Sequence, residues 1–543
     1  METSEQKLSS VPTSGGWGHW VLPFLAALCA YWSPMWQHTW NYSAPSFPMS
    51  AFVPAAAGLG ALAVFWLENW AEFRAELGAE NWADRVGLAG LGLASATAAV
   101  GYSVWLLFSQ PIGVPTDTDY FWQATIAMAA LAWLPRPFAK VRDIVTPPSQ
   151  ARALVISTLG VALLMVFIWG WASRSTFNFT SERVLAAMFA LSPFAVAWSR
   201  QLALAEAVIG AAKRGVTVNV PSAFERLRTL SWILVNKTGI ITTGERYFVS
   251  AKLTRRGGLE SIDELIAVAA GLEVGIDHAI ARAVCAEAEA REISPADVKD
   301  QMWVPGIGIS GRLAEFRFTV GGPALLTRQK IDIDVQDLYE ADALNTAGNT
   351  VIYLVRDDAL LGYIAIGDEP HRSAARAIEN LHGMRHKVGL ITTDAHGVAK
   401  HVAAAVGADD VFAEVLPQNR AALVADLENT LGQLAVVADS RYDAAVLEAA
   451  TVSISVNDGD GDIVLHGSEP TGISAAVFLS HKLGQIQRRV LVIGWVGNLT
   501  AVLLGAGIFT GLGFVPGAAI TSLVALATSY IAAGNTRSLR GAK

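Results

Sequence analysis

Three short apolar runs in this sequence end on residues that carry side-chain oxygen. "WILV" reaches Asn236, "VGLI" reaches Thr392 and Asp394, and "LAVVA" reaches Asp439, with Asp443 four residues further on. Short apolar runs with polar boundaries read as strands of an α/β body. Ligands of open parallel sheets sit beyond the carboxyl ends of the strands, so three such ends carrying oxygen donors mark one candidate site. Any one of them alone would as readily be turn chemistry or a helix N-cap. The three together favour function. The first run continues into Lys237, Thr238 and Gly239, a polar loop that opens with an amide.

The elements that must position these residues follow in order. "HGVAKHVAAAVG" after Asp394, "PQNRAALVADLEN" from Pro417 and "DAAVLEAA" from Asp443 read as the linking helices, and proline suits a first helical turn. Gly306, Gly308 and Gly311 form a GxGxxG, a weak signal for a dinucleotide fold. Its context opposes that reading. The "WVP" before it is a poor strand, no long helix starts after Gly311, and "RLAEFRFTVGG" continues as strand-like alternation. His278, taken alone, is more readily a histidine on a helix face or surface than a ligand.

This body occupies about 213 to 487, and the rest of the chain is of another kind. Hydrophobic residues make up 52% of the 543 and charged residues only 16%, which places the chain in a membrane. Apolar runs lie near 20–35, 51–67, 86–108, 120–134, 152–173, 184–208, 489–511 and 514–534, and they imply about eight spans. The fourth run is short and the first contains Pro23. With eight spans, Arg136, Lys140, Arg142, Arg152, Lys213, Arg214 and the tail with Arg537, Arg540 and Lys543 fall on one side. The positive-inside tendency makes that side the cytoplasm, with both termini there. The N-terminus reads as a retained tail without a cleavage site. Cys29 and Cys285 are the only cysteines, so no disulfide framework or paired-cysteine metal site is expected. The net charge of −8 argues against nucleic acid as a partner; membrane lipid and a second membrane protein are the expected partners.

These features resemble the P-type ATPases, in particular their heavy-metal-transporting branch. "NKTGIITTGE" is similar to the family's phosphorylation loop DKTGTLTxG, and "ITTD" to its LTGD. "VFAEVLPQNRAALV" is similar to the segment with its catalytic lysine, and "VADSRYDAAVLEAATVSISV" to its VGDGxNDAPAL stretch. "GIDHAIARAV" and "WVPGIGISGR" resemble the branch's EHPLAxAI helix and VPGxGxxG loop. The resemblance implies an α-helical transmembrane bundle of about eight spans plus a cytoplasmic α/β haloacid-dehalogenase-like domain. That domain carries an inserted nucleotide-binding α+β domain. The corresponding boundaries are 1–151 and 152–212 for four and then two spans, 213–245 and 367–487 for the phosphorylation-like domain, 246–366 for the insert, and 488–543 for the last two spans and tail. It further implies Mg2+ and ATP as ligands, stacking of His278 on adenine, and close approach of Gly306 and Gly308 to the nucleotide.

Several positions depart from the family's pattern. The phosphorylated aspartate corresponds to Asn236, whose neutral amide has no anionic oxygen to attack a γ-phosphate. The TGD glycine is Thr393, and the catalytic lysine corresponds to Arg420, bulkier and of different geometry. Thr238, Asp394, Asp439 and Asp443 remain able to hold Mg2+ and phosphate oxygens. The actuator domain belongs between the fourth and fifth spans, where 135–151 is too short to fold as one. The "TGE" at Thr243, Gly244 and Glu245 belongs to the loop segment instead. The membrane CPC motif corresponds to Ser192, Pro193 and Phe194, which keeps the proline and loses both thiolates. Asn498, Thr528 and Ser529 in the last spans are expected to act as packing groups before ion ligands. No thiolate metal site is left. The sequence therefore reads as a catalytically inactive relative that binds Mg-ATP in a regulatory or scaffolding role at the plasma membrane. The alternatives are an active cation pump with an atypical cycle and a docking protein without a ligand.

Overall fold

A computed structural model describes residues 18–31, 49–78, 88–109, 119–134, 149–190, 194–255, 258–276, 278–304, 307–457 and 459–541. They divide into two compact units, Met1–Gly210 with Lys482–Lys543, and Ala211–His481.

The first unit is helical. Its helices are α1 (Gly18–Tyr31), α2 (Met49–Leu77), α3 (Leu88–Ser109), α4 (Asp119–Trp133), α5 (Ser149–Met165, continued as a wider turn to Ala172), α6 (Phe177–Met188) and α7 (Ser199–Ala212). The described residues of each apolar run are mostly helical. Four segments among the described residues are long and apolar enough to cross a bilayer: Ala89–Leu106, Val155–Ala172, Pro470–Gly505 and Ala518–Leu539. The helix at the fourth run is apolar but shorter. The run at 184–208 is not one continuous helix: α6 ends at Met188 and a wide turn spans Phe194–Trp198, with 191–193 outside the described residues. Small residues let these helices approach closely. A Cβ on Gly58 of α2 would lie 2.7 Å from the Phe121 ring of α4. Arg183 of α6 is fully buried, and its Nη1 donates to the Pro516 carbonyl at 2.7 Å, so its charge is met by backbone oxygen and by Glu182 at 3.4 Å.

The second unit contains α8 (Pro221–Leu227), α9 (Ile262–Glu273), α10 (Ala279–Ala290), α11 (Pro323–Gln329), α12 (Val335–Thr346), α13 (Ala374–Gly383), α14 (His396–Val406), α15 (Pro417–Leu431) and α16 (Ser440–Glu448). Two long helices close the chain. Helix α17 (Pro470–Gly505) begins here and continues into the first unit, and α18 (Ala518–Thr536) lies wholly in the first unit.

The strands of the second unit make two sheets. The first has the order β1-β13-β12-β11-β2-β9-β10, formed by Val216–Val218, Ile463–Leu465, Val452–Val456, Leu434–Ala438, Trp232–Asn236, Lys387–Ile391 and Asp410–Phe412. All its pairs are parallel except β1 with β13. Ile233, Leu234, Val388, Leu390, Val436 and Val437 are buried without exposure, as parallel strands covered on both faces require. Register fixes the level of the strand ends: Val235 pairs with Val437 and with Leu390, and Asn236 with Ile391. Asn236, Thr392 and Asp439 therefore emerge at one edge.

The second sheet is antiparallel, in the order β3-β8-β7-β6-β5-β4, formed by Thr242–Leu253, Ala359–Pro370, Thr350–Arg356, Phe316–Gly321, Gly308–Leu313 and Lys299–Val304. Helices α9 and α10 cover one face through Leu265, Val268, Leu272 and Val284, and the segments around α11 and α12 cover the other. The chain enters this sheet by β3 directly after the Asn236 loop and leaves it by β8. Of "WVP", expected to be a poor strand, Trp303 and Val304 supply the end of β4, and Pro305 lies outside the described residues. An edge strand needs only one paired side, and Met302 and Trp303 stand exposed on it. The strand-like alternation expected after Gly311 is present as the end of β5 and its antiparallel partner β6.

Gly308 has φ of 144°, and a Cβ there would stand 1.9 Å from the Val320 carbonyl oxygen. Gly308→Ala should destabilise the protein by about 3 kcal/mol. Gly383→Ala, with open space around it, should leave the melting temperature nearly unchanged. Thermal unfolding of the two purified variants checks both, and equal melting temperatures would refute the close-approach argument.

Candidate functional site

At the end of β2 the chain turns through Lys237–Ile241, and Gly239 takes φ of 78°, a left-handed conformation that glycine adopts without strain. The turn sets Asn236 beside the first turn of α16. Asn236 Nδ2 donates to Asp443 Oδ2 at 2.5 Å. Arg420 of α15 donates through Nη1 to both carboxylate oxygens of Asp443, at 2.9 and 2.8 Å. Asn236 and Asp443 are buried, and Asn236 Oδ1 has no hydrogen-bond partner. The amide thus acts here as a donor to an acid. A carboxylate at 236 would stand like-charged against Asp443.

A second network flanks the first. Lys237, fully buried, places Nζ 2.5 Å from Asp394 Oδ2 and 3.3 Å from Asp368 Oδ2. Asp394 also accepts from Thr392 Oγ1 and Thr350 Oγ1, both at 3.1 Å, and from Arg246 at 3.4 Å. Burial opposes ionisation of Asp394, but Lys237 and then Arg246 outweigh it and hold its carboxyl well below the usual range. Thr242 donates to Asp368 at 2.8 Å. Lys237 is therefore locked in place by two acids, and Asp394 positions it.

Asp439 caps α16 by accepting from the Arg441 backbone at 3.0 Å. The helix expected from Asp443 begins three residues earlier, because this cap satisfies its first turn; Asp443 itself has non-helical φ of −129°. The Arg441 side chain binds Asp439 through Nη2 at 2.5 Å. Burial raises the Asp439 pKa, but the Arg441 hydrogen bonds outweigh it and the net shift is downward. The two acids expected to hold metal are thus each engaged by an arginine. Thr238 is exposed at the rim of the turn. Thr243, Gly244 and Glu245 lie at the start of β3, where Thr243 and Glu245 are exposed.

In the antiparallel half, His278 caps α10, its Nδ1 accepting from Ile280 N at 3.3 Å, and its side chain is exposed. Gly308 meets the close backbone approach between β5 and β6 described above. Gly306 lies outside the described residues. So do Ser192, Pro193, Arg136, Lys140, Arg142 and Lys543; of Phe194 only the backbone turn is described. Asn498, Thr528 and Ser529 are buried. Thr528 and Ser529 donate to Val524 and Ala525 of their own helix at 2.7 and 3.0 Å. A Cβ on Gly497 would stand 2.2 Å from Thr528 Oγ1, so these hydroxyls line a tight helix crossing. Among the described residues no group of three or more His, Cys, Asp or Glu is placed to hold a metal.

Sequence reasoning missed Asp368, Arg246 and Thr350, which lie on antiparallel strands and so escape the rule for parallel strand ends. It also missed Glu273, at the end of α9 and five residues before His278. Glu273 is 5% exposed, its Oε2 has no hydrogen-bond partner, and burial pushes its pKa up to about 7.

Comparison with known proteins agrees with this geometry. The family model for haloacid dehalogenase-like hydrolases matches residues 230–451. A copper-exporting P-type ATPase B from Archaeoglobus fulgidus is 30% identical over 408 residues, 74% of this chain and 57% of that protein. A probable copper-transporting P-type ATPase B from Staphylococcus aureus is 25% identical over 391 residues, 70% of this chain and 57% of its own length. The chain thus spans less than two thirds of the length of these relatives. The crystal structure of a zinc-transporting PIB-type ATPase in its E2.Pi state covers 96% of this chain with a TM-score of 0.61 at 17% identity. The E2P-state structure of a zinc-transporting PIB-type ATPase gives 0.51 at 16%.

Because the Asp394 pKa is depressed in the fold, its stabilisation is present above the unfolded carboxylate range near 4 and is lost as pH falls below it. Asp394→Asn should flatten that acid limb and cost about 3 kcal/mol at neutral pH, since buried Lys237 loses its nearest partner. Denaturant melts between acid and neutral pH measure both. An acid limb as steep as that of the wild type would contradict the assignment.

Proposed function

This chain belongs to the heavy-metal branch of the P-type ATPase superfamily, an integral membrane protein with a cytoplasmic α/β region, and we propose that it binds Mg-ATP without forming a phosphoenzyme. The observation that carries this reading is the hydrogen bond from Asn236 Nδ2 to Asp443. The group at the reacting position is a neutral donor already engaged with an acid, and its nitrogen lone pair is delocalised into the carbonyl. Phosphoryl transfer to the enzyme needs an anionic oxygen in line with the γ-phosphate, and position 236 has none.

Binding is a separate matter from transfer. Losing one negative charge beside the γ-phosphate removes a repulsion of about 4 kcal/mol for unit charges at ~4 Å and an effective dielectric near 20. The donor that fits Mg2+ is Asn236 Oδ1, buried and without a hydrogen-bond partner, with the Asp439 carboxylate joining it once Arg441 releases it; both are hard oxygens. The ion would neutralise phosphate charge. Lys237 and Arg420 lie at the same sheet edge, each paired with buried acids. For the base, His278 offers an exposed ring at the head of α10, and Glu273 offers a buried carboxyl free to accept from an exocyclic amine. Such a protein couples nucleotide occupancy to its membrane helices as a sensor or scaffold.

A second reading, an active heavy-metal pump with an atypical cycle, is favoured by the names of the relatives and by the intact Lys237–Asp394–Asp368 network. Calorimetry and labelling separate the two. Purified full-length protein should release heat with Mg-ATP, with affinity at least about tenfold weaker in His278→Ala and Glu273→Gln. Incubation with γ-labelled ATP should leave no hydroxylamine-sensitive adduct, and Asn236→Asp should create one. An adduct on the wild-type chain would establish the second reading, and no heat at millimolar nucleotide would remove the sensing role.

A further inference from the structure

Outside this site two histidines stand face to face where the soluble unit meets the helix that continues toward the last spans. His386 directly precedes β9, the strand whose far end presents Thr392 and Asp394, and His481 lies on α17. Their Nε2 atoms are 2.9 Å apart, and the rings are nearly perpendicular at 80°. His386 is 2% exposed, whereas His481 is partly exposed and reachable from solvent. The surroundings hold both rings in place. Ser480, fully buried beside His481, donates to the Phe224 carbonyl at 2.7 Å and accepts from the Arg228 backbone at 3.1 Å. The His386 backbone donates to Leu381 at 3.0 Å.

We propose that His386 and His481 form a two-imidazole binding site for a transition-metal ion, which clips β9 to α17. Two aligned Nε2 atoms at hydrogen-bond distance share one proton. A metal ion in the place of that proton needs both nitrogens as lone-pair donors, at about 2.0–2.1 Å each for Zn2+. Tetrahedral geometry at that distance sets the nitrogens about 3.3 Å apart with the ion off the line between them, so the rings must separate by a few tenths of an ångström and tilt toward the ion. Among the described residues no third His, Cys, Asp or Glu joins a ligating cluster, and the open side at His481 leaves the remaining positions to water. Imidazole ligands suit Zn and Cu over Mg or Ca.

The Arg228 charge near His481 opposes any cation, which limits affinity and makes occupancy depend on metal supply. A filled site ties together the strand that presents Thr392 and Asp394 and the helix that enters the membrane. This inference does not depend on nucleotide binding or on the fate of Asn236.

The test uses purified full-length protein in detergent and the metal alone, Zn2+ and Cu+ in separate titrations against a chromophoric chelator. Wild type should retain one ion of either kind in the presence of millimolar Mg2+, and should melt at a higher temperature when loaded. His481→Ala, at the partly exposed partner, should weaken binding by at least about tenfold and abolish the metal-dependent melting shift. His386→Ala should do the same; if the buried substitution prevents folding, His481→Ala alone decides. No ion retained by wild type, or an equal affinity and melting shift in His481→Ala, would overturn the proposal.

Discussion

Asp443 is the acid around which the candidate site is organised. Its carboxylate receives the Asn236 amide at 2.5 Å and the Arg420 guanidinium at 2.8 Å, and so joins β2, α15 and α16 through one charge. An acid this deeply placed needs partners that cancel its charge and occupy its lone pairs. The amide at 236 does so in the one direction a carboxylate could not, by donating. Arg420 complements it with a planar guanidinium, a geometry lysine lacks. Asn236 and Arg420 are thus two sides of one electrostatic arrangement, and Asp443 connects them.

The neighbouring network around Lys237 works by a different rule. One buried ammonium faces Asp394 and Asp368, and Arg246 adds a second positive charge on the far oxygen of Asp394. Buried ions of this kind contribute little net stability against an apolar replacement, but they hold one geometry because every alternative leaves a charge unpaired. That rigidity keeps the loop in shape beside the amide at 236. In the membrane unit the same economy of partners recurs: Arg183 reaches backbone carbonyls, and Thr528 and Ser529 return their protons to their own helix.

Much of this was legible from residue types. The strand ends at Asn236, Thr392 and Asp439 follow from three apolar runs, because a parallel sheet buried on both faces needs unbroken Val, Leu and Ile and must end where polarity begins. Pro417 opens α15 because its missing N–H is no loss there. The helix at 443 was placed three residues late, since the capping bond from Arg441 to Asp439 is invisible in a list of hydrophobic residues. "WVP" was read as a poor strand, since an edge strand with exposed aromatic groups lacks the alternation that identifies a half-buried one.

The order of elements, the apolar helices, the amide at the reacting position and the kinship to the P-type ATPases were all carried by the sequence, because they depend on residue identity and local periodicity. Which side chains meet was decided only in three dimensions. Arg420 lies 184 positions from Asn236, and Asp443 207; only the parallel register of β11 and β2 brings them together. Glu273 looks like any acid near a helix end until the packing above it removes water and lifts its pKa. His386 and His481, 95 residues apart, become a pair for the same reason: distance in the chain carries no information about distance in space until the hydrophobic core has closed.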